Sequence, residues 1–426
     1  MLTVINADTE SAASLQCCAL DRASKVIVNT RETGRTVKTF LAINIILGSN
    51  ESRPKIVTTV DADASAFPDD LLSDENVSML HSANAVARIV AHAATQTGIF
   101  DAFLDMIDFE GFEFYFEKKE EMFGLPFWKA VLSGTNGIVT GIFRNGKAIL
   151  NPAPDTVILQ EDLLITFEEE PGDLKFLDVE KEKFSGSFPT PEPEPVSEVV
   201  IIGGGKALST VLKELPDQVG RIRIIGASAD QIEPFLPEEG TCPSEILTDT
   251  RDISTAENLM QLVKDAEHVV VLSDRRKKEE EADTEAMVRI MRLRNLKRQC
   301  GFEFTITAEI RCENNRRLIM GDDREDFVVA TDLAAMMLAQ ISDDTRRISL
   351  FNELLDEGGS EVYLKPASVL KLTGERMSIR ELRRRAYQYG YILIGLRTKD
   401  EPFRVLDDNS VVLLGNDDRL ILVGEH

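Results

Sequence analysis

This sequence has few residues of the kind that build metal centres or nucleophilic active sites. It holds four histidines and five cysteines among 426 residues, and none of the cysteines forms a Cys-x-x-Cys pair. Such usage argues against a disulfide framework or a zinc site and is typical of a reducing compartment. No Walker sequence and no Ser–His or Cys–His arrangement stands out, so the sequence does not predict an enzyme.

Long apolar runs and a basic surface are also missing. The best candidate for a membrane helix, Ala85 to Ile107, is interrupted by Arg88, His92, Gln96 and Asp101, and the chain as given is expected to be soluble. Acidic residues outnumber basic ones by 73 to 48, which gives a formal net charge of −25. Because phosphate contacts need clustered lysine and arginine, this balance argues against nucleic acid as a partner.

The sequence contains an internal duplication with a period of about 250 residues. In each copy an apolar strand leads into a helix, and a second helix, a glycine and another strand follow. A small β-rich region comes next, with short β-branched runs broken by glycine, proline and asparagine. The matched segments are 77–90 with 327–338, 99–107 with 348–355, 112–116 with 360–364, 137–144 with 391–397, 156–159 with 410–414, and 161–165 with 417–422.

The two copies are separated by an alternation of proline and glutamate between 188 and 195. Such a segment stays extended and solvated, so residues 171–197 are predicted to be a semi-rigid linker. After the linker, apolar strands alternate with helices as far as residue 308. This alternation predicts a parallel sheet covered on both faces, which is a Rossmann-like α/β lobe.

The first copy is shorter at its start than the second. Residues 6–9 and 25–28 correspond to 248–251 and 268–271, and about 48 residues that precede this point in copy two have no counterpart before Leu2. The missing part would hold the glycine turn and the first two strands. We therefore expect the first unit to be N-terminally truncated and the chain to be a piece of a longer protein.

A glycine turn follows the first strand of the second copy and precedes a helix. Gly203, Gly205 and Lys206 stand where a dinucleotide-binding turn would let phosphate approach the backbone. The sixth position of the motif is Leu208, and the next strand ends at Ser228 without an acidic residue to hold a ribose. A structural turn, classical NAD binding, and binding of another nucleotide or small anion through these residues and Ser228 all remain open.

Carboxylates cluster where the predicted strands end. These candidate calcium ligands are Asp61 and Asp63 in copy one, and Asp249, Asp252, Glu309, Asp322 and Asp323 in copy two. Calcium takes six to eight hard oxygen ligands, which such loops can supply, although no EF-hand spacing is present. The alternative at each position is a solvated loop in an acidic protein.

Three segments of copy two resemble a known family. They are Glu357 to Ala367 (EGGSEVYLKPA), Met377 to Leu382 (MSIREL) with the arginine-rich helix after it, and Tyr391 to Arg397 (YILIGLR). They are similar to the CASTOR/POLLUX ion channels, and the duplicated layout resembles tandem RCK (regulator of potassium conductance) domains. The resemblance implies an α/β fold of two tandem RCK units. Each unit would have a Rossmann-like lobe, a helix–turn–helix crossover and a small β-rich lobe.

The resemblance and the duplication together give a domain division. We expect the first Rossmann-like lobe with its crossover helices over 1–110, the first β-rich lobe over 111–170, the linker over 171–197, the second Rossmann-like lobe with its crossover helices over 198–358, and the second β-rich lobe over 359–426.

The resemblance implies that the chain functions as the gating ring of a cation channel. A pore domain would lie upstream in the membrane, and four chains would form a homotetrameric ring of eight RCK units at its cytoplasmic face. Calcium is the implied ligand. A nucleotide-binding RCK-type regulatory subunit of a potassium uptake system is the first alternative. An NAD-dependent oxidoreductase is the second, and the lack of a catalytic constellation counts against it.

Overall fold

The computed structural model describes residues 4–425 apart from 31–32, 49–52, 61–73, 185, 187–194, 216–218, 239, 320–323, 356–358, 399–404 and 406–409. The chain divides into two compact units, one of residues 1–85 and 332–348 and one of residues 86–331 and 349–426. The divisions fall inside helices, so the helices 82–95, 330–343 and 347–354 each contribute to both units. No described helix has the length and apolarity that a membrane span requires.

The first unit is built on a parallel three-stranded sheet in the order β1-β2-β3. Apolar residues of its strands pack with the inner face of the long helix α2, including the buried Phe40 and Ile43. The buried hydroxyl of Thr58 donates to the backbone oxygen of Val28, which ties adjacent strands together. The described α-helices and strands that lie wholly in this unit are α1 (Ala12–Leu15), β1 (Lys25–Val28), α2 (Thr33–Leu47), β2 (Lys55–Thr59) and β3 (Val77–Leu80).

Residues 332–348 belong to this first unit although they come from the second copy in sequence. The Nζ atom of Lys25 donates to the backbone oxygen of Asp343 at 2.5 Å. Arg347 is 2% exposed and forms a hydrogen bond with Gln340. The crossover segment of copy two therefore packs with the lobe of copy one.

The second unit contains a six-stranded parallel sheet in the order β12-β11-β10-β13-β14-β15. The order reverses at β10, since β11 and β13 lie on its two sides, and this is the topology of a Rossmann-like lobe. Its elements are β10 (Val196–Ile202), α6 (Lys206–Glu214), β11 (Val219–Ile225), α7 (Ala229–Ile232), β12 (Glu245–Asp249), α8 (Ala256–Val263), β13 (His268–Val271), α9 (Glu279–Cys300), β14 (Thr305–Ile310), α10 (Glu313–Ile319) and β15 (Glu325–Val329).

Helix α9 begins with three consecutive glutamates. Glu279, Glu280 and Glu281 form its first turn, where negative side chains interact favourably with the helix dipole. The buried face of α9 includes Ile290 and packs with β13 and β14 in a hydrophobic core of this lobe.

Two helices of copy one belong to the second unit. They are α3 (Ser82–Thr95), from residue 86 onward, and α4 (Ile99–Ile107). Six of the nine residues of α4 are buried, including Phe100 and Phe103. It contacts β15 of the parallel sheet and also a strand of each small β lobe. The two carboxylates of the helix, Asp101 and Asp105, lie one turn apart and therefore share the face that is not fully buried.

The first small β lobe is a four-stranded antiparallel sheet in the order β4-β8-β6-β7. Its strand β6 has a bulge between Val139 and Gly141. A Cβ atom at Gly141 would lie 2.4 Å from the backbone oxygen of Ile149, so only glycine fits there. The elements are β4 (Glu113–Glu117), α5 (Phe127–Ser133), β5 (Gly134–Thr135), β6 (Ile138–Arg144), β7 (Lys147–Leu150), β8 (Leu163–Glu168) and β9 (Lys175–Phe176).

The second small β lobe repeats this arrangement. Its antiparallel strands follow the order β16-β20-β18, and β18 has a bulge between Leu393 and Gly395. Because strand order and bulge position both correspond to those of the first lobe, the two lobes are copies. The remaining elements are α11 (Ala330–Asp343), α12 (Arg347–Leu354), β16 (Glu361–Pro366), β17 (Arg376–Ser378), α13 (Ile379–Gln388), β18 (Ile392–Arg397), β19 (Val411–Leu413) and β20 (Arg419–Gly424).

Candidate functional site

The glycine turn lies between β10 and α6, as the sequence predicts. Gly203 and Gly205 have φ angles of 128° and 90°, values that L side chains rarely adopt. The N–H of Gly203 donates to Ile225, and the N–H of Gly205 donates to the backbone oxygen of Gln231 at 2.7 Å. A Cβ atom at Gly204 would lie 2.6 Å from that same oxygen. The turn is therefore packed closely against the segment that carries Gln231.

Ser228 begins the short helix α7 that covers the turn. Its side chain and Gln231 form a reciprocal capping box, in which the Gln231 side chain accepts from the Ser228 N–H at 3.1 Å. The Gly205 N–H is an atom that a phosphate would approach in a dinucleotide site, and here it already has a backbone acceptor. Lys206 is the first residue of α6. The structure thus brings the four residues of the predicted nucleotide site into one region, with Ser228 on the segment over the turn.

A cavity of about 520 Å³ opens next to this region. The carboxyl ends of β11 and β12 and the N-terminal half of α9 form its walls. Ligands of open α/β sheets bind outside the carboxyl ends of the strands, so its position is that of a ligand site. The charged and hydroxyl-bearing residues that line it include Ser228, Arg251, Asp252, Glu285, Arg289 and Arg292.

Arginines dominate the electrostatics of the cavity. Arg251 is neutralised by Asp249, whose carboxylate it contacts at 2.7 Å. Arg289 has a side chain that is 21% exposed and lies 4.0 Å from the carboxylate of Glu285. Burial lowers the pKa of the Arg289 guanidinium because the charged form has lost part of its hydration. Arg292, one turn further along α9, makes no hydrogen bond or ion pair within the described part of the chain.

Three of the predicted calcium ligands lie among the described residues, each with partners in the protein. Asp249 pairs with Arg251. Asp252 accepts from the Ser254 N–H at 2.8 Å. Glu309 is 1% exposed, pairs with Arg275 at 2.7 Å and accepts from the N–H of Ser273.

The other predicted calcium ligands, Asp61, Asp63, Asp322 and Asp323, lie outside the described residues. Within the described ranges, no group of three or more histidine, cysteine or carboxylate side chains could hold a metal ion. Calcium binding at these positions stays a prediction.

Sequence reasoning missed the junction of α3 and α4 with the second Rossmann-like lobe. The hydroxyl of Thr307 in β14 donates to the backbone oxygen of Ala93 at 2.9 Å. Arg316 of α10 pairs with Asp101 of α4 at 2.6 Å. These contacts join residues more than 200 positions apart, and nothing in the local sequence around either partner indicates the other.

The arginines of the cavity were also missed. Arg289 and Arg292 are three residues apart, so they share one face of α9. That spacing is the only signal in the sequence, and it is common in solvated helices of charged composition.

Comparison with known proteins bears on the fold and on the family. Residues 83–178, which include α3, α4 and the first β lobe, match the family model described as Castor and Pollux, part of voltage-gated ion channel. This confirms the resemblance to the CASTOR/POLLUX family. The chain is 22% identical over 380 residues to the probable ion channel POLLUX of Arabidopsis thaliana, covering 77% of this chain and 45% of that protein.

A second relative and a solved structure extend the comparison. The ion channel CASTOR of Lotus japonicus is 22% identical over 394 residues, with 79% of this chain and 44% of that protein covered. The chain thus spans less than half the length of these relatives. The structure of the human SLO3 gating ring superposes with a TM-score of 0.65 at 13% identity, over 98% of this chain and 90% of that chain. The fold is therefore that of two tandem RCK units with Rossmann-like lobes, as expected from the sequence.

Proposed function

We propose that this chain is the ligand-sensing, gating-ring region of a CASTOR/POLLUX-type cation channel. The observation that carries the proposal is the family match over residues 83–178, because that segment contains the helix α4 on which three parts of the second unit converge. The named relatives are ion channels, and the solved neighbour is a gating ring. In this function the chain acts at the cytoplasmic face of a membrane and controls a pore outside its own sequence.

The contacts of α4 suggest how a ligand signal would be transmitted. Helix α4 touches β15 of the parallel sheet, β4 of the first small lobe and β16 of the second. Its N-terminus is held by Asp326 of β15, which accepts the Gly98 N–H at 2.8 Å. A shift of β15 would therefore move α4 and both small lobes together. A ligand drives such a shift only by binding the two conformations unequally.

Calcium is the ligand that we propose for this region, and a ring of four chains is the assembly. Carboxylates at the ends of parallel strands supply the hard oxygen ligands that calcium needs. Leu41 and Ile45 of α2 are 52% and 73% exposed within the isolated chain, and apolar side chains on one helix face are typical of surfaces that associate. Multi-angle light scattering of the purified chain would show a tetramer mass, and a monomer at all concentrations would contradict the ring.

The calcium proposal is tested by calorimetric titration of metal-stripped chain. Three paired substitutions to asparagine cover six of the seven candidate carboxylates: Asp61 with Asp63, Asp249 with Asp252, and Asp322 with Asp323. Saturable binding that one pair abolishes would place the site, whereas a heat-silent titration of the parent chain would overturn calcium as the ligand.

The channel function is tested on the full-length gene product in planar lipid bilayers. Arg316→Gln removes the ion pair to Asp101 of α4, so it should weaken the coupling between ligand and open probability. Arg317→Gln is the matched control, because its side chain is 72% exposed and, among the described residues, it pairs only with Glu313 on its own helix. A reconstituted protein without ligand-dependent current, or equal behaviour of the two variants, would contradict the proposed transmission through α4.

A further inference from the structure

Two of the five cysteines, Cys17 and Cys18, are adjacent in the sequence, and both are free thiols of the first unit. They end a single 3₁₀ turn, Gln16–Cys18, that follows α1 directly. Cys17 is exposed, and its thiol donates to the backbone oxygen of Ser14 at 2.9 Å. Cys18 is half-buried and packs against the hydrophobic core of the first lobe. The pair therefore joins a solvent-accessible thiol to one that is anchored in the core.

The two thiols also interact with each other. Burial raises the pKa of the Cys18 thiol, and a hydrogen bond with Cys17 and the charge of the Cys17 thiolate raise it further. Cys18 is thus held in its protonated form. Since the thiolate is the species that attacks a disulfide, the exposed Cys17 is the first nucleophile and Cys18 is the resolving thiol. Redox-sensing cysteines are often accessible thiols beside such a resolving cysteine.

The chain on both sides of the pair is anchored in one core. Leu15 precedes the pair and Leu20 follows it, and both are buried in a hydrophobic cluster with Phe40 and Ile43 of α2. Cα atoms joined by a trans peptide are about 3.8 Å apart, whereas those of ordinary disulfides are about 4.4–6.8 Å apart. A disulfide between neighbours therefore strains the turn and pulls on the two leucines. Strain makes such a bond easy to reduce, which suits a switch in the reducing compartment that the cysteine usage indicates.

We propose that Cys17 and Cys18 form a reversible disulfide that acts as a redox switch of the first lobe, with a low-molecular-weight disulfide such as oxidised glutathione as the oxidant. The Cys17 thiolate attacks one sulfur of the oxidant and releases one glutathione thiolate. Cys18 then loses its proton and attacks the Cys17 sulfur, which releases the second glutathione thiolate. The pair thereby loses two protons and two electrons, and the two glutathione molecules gain them.

The switch would act on α2, which packs over the sheet of the first lobe. Leu15 and Leu20 share a cluster with the inner face of this helix, whereas Leu41 and Ile45 on another face are 52% and 73% exposed. A strained turn would loosen the packing of α2 and so alter the apolar surface that we propose for ring assembly. This consequence rests on the proposed function, while the thiol chemistry does not.

The test is treatment of the whole reduced chain with oxidised glutathione, followed by acid quenching, trypsin digestion and mass spectrometry. Cleavage after Arg22 gives a peptide of residues 1–22 that contains both cysteines of the pair and none of the other three. The variants are Cys17→Ser and Cys18→Ser. Cys300→Ser is the matched control, because it removes a different exposed thiol, whose sulfur lies 3.8 Å from that of Met260.

We expect the peptide 1–22 of the parent and of Cys300→Ser to lose about 2 Da on oxidation and to regain this mass with dithiothreitol. Cys18→Ser should stop at a glutathione adduct on Cys17, and Cys17→Ser should form no disulfide within the peptide. Equal thermal unfolding midpoints of the reduced proteins would show that the variants fold. A parent peptide that keeps its reduced mass, or that only gains glutathione, would overturn the disulfide.

The coupling to α2 has its own readout. Hydrogen exchange of amides in α1 and α2 should speed up at least about tenfold in the oxidised parent and stay unchanged in oxidant-treated Cys17→Ser. A disulfide that forms without faster exchange would overturn its role as a switch. If the channel fails to respond to calcium while the mass loss and the faster exchange persist, only the proposed function fails.

Discussion

The Oδ2 atom of Asp326 accepts the backbone N–H of Gly98 at 2.8 Å, across 228 positions of sequence. Asp326 is 3% exposed in β15, and Gly98 is the N-cap of α4. From the other side, Arg397 of β18 donates to the backbone oxygen of Gly98 at 2.6 Å. Both backbone groups of Gly98 are therefore hydrogen-bonded, the N–H to a carboxylate of the Rossmann-like lobe and the carbonyl to a guanidinium of the second β lobe. These two hydrogen bonds fix the start of α4, the helix that contacts both lobes.

This carboxylate makes stability depend on pH. Burial and the neighbouring charge of Asp101 raise the pKa of Asp326 to about 7, although hydrogen bonds from the backbone oppose the shift. Since the unfolded value is about 3.9, the folded chain holds this proton more tightly than the unfolded chain. The contribution of Asp326 to the unfolding free energy is therefore complete at low pH and is lost as pH rises from about 4 to about 7.

Asp326→Asn should remove that dependence. The unfolding free energy of the parent should fall relative to that of the variant between pH 5 and pH 8, measured by chemical denaturation at fixed ionic strength. Asp265→Asn is the control, because that side chain is 64% exposed and should leave the curve parallel to that of the parent. Parallel curves for Asp326→Asn would show that the buried carboxylate does not titrate in this range. Asp105, whose pKa burial raises to about 6, contributes in the same direction and remains in both proteins.

Gly204→Ala should destabilise the second unit by about 1–3 kcal/mol through overpacking. The new methyl group would lie 2.6 Å from the backbone oxygen of Gln231, so the segment over the turn must move. Gly34→Ala is the matched control, because Gly34 lies in the first turn of α2 and a Cβ atom there meets nothing within 4 Å. The midpoints of chemical denaturation of the three proteins test this prediction. Equal midpoints for the parent and Gly204→Ala would contradict the tight packing of the turn.

Asp283→Ala should cost about 2–4 kcal/mol of unfolding free energy, because it leaves buried donors without an acceptor. The carboxylate of Asp283 is fully buried in α9. It accepts from the N–H groups of Arg311 and Cys312 at 2.8 and 3.1 Å, and from the side chain of Asn315 at 2.7 Å. Asp283→Asn retains one acceptor oxygen and should fall between parent and alanine variant in denaturation experiments. A cost below about 0.5 kcal/mol for the alanine variant, as at a surface site, would contradict this role.

Glu182→Gln should loosen the segment that follows the first β lobe. Arg380 and Arg384 of α13 both contact the Glu182 carboxylate, at 2.8 and 2.6 Å, and that side chain is only 6% exposed. The ring of Phe184 in the same segment also contacts the ring of Tyr387 in α13. Loss of the charge should speed hydrogen exchange of amides around 180–184 about tenfold, whereas Glu180→Gln, at an exposed position, should not. Unchanged exchange in Glu182→Gln would mean that the aromatic contact alone holds the segment.

The duplication could be predicted from the sequence in considerable detail. Gly141 and Gly395 occupy matched positions in two short apolar runs, and both lie at the bulge of the corresponding strand. Such matches can be recognised in the sequence because a bulge constrains the residue type at one position. A Cβ atom at Gly141 would collide with the neighbouring strand, so glycine is required there. The alternation of apolar strands and helices is likewise local, and it predicts the Rossmann-like lobe correctly.

The candidate site was only partly predictable. The glycine turn and Ser228 were recognised because they follow strands at the spacing of a known motif. The acceptor of the Gly205 N–H could not be foreseen, since the position of Gln231 depends on how α7 packs. The role of Arg289 and Arg292 in lining the cavity could not be foreseen either, because two arginines at this spacing are common on exposed helices.

The set of elements and their repetition therefore follow from the sequence, because periodicity, turns and bulges are properties of neighbouring residues. Which copy each helix packs against depends on contacts between residues far apart in the chain. Helix α4 comes from copy one and starts at a carboxylate of copy two, and residues 332–348 of copy two pack with the lobe of copy one. An apolar helix buries equally well against either copy as far as its own sequence shows, and only the complementary buried contacts, Asp326 with Gly98 and Arg316 with Asp101, select one arrangement.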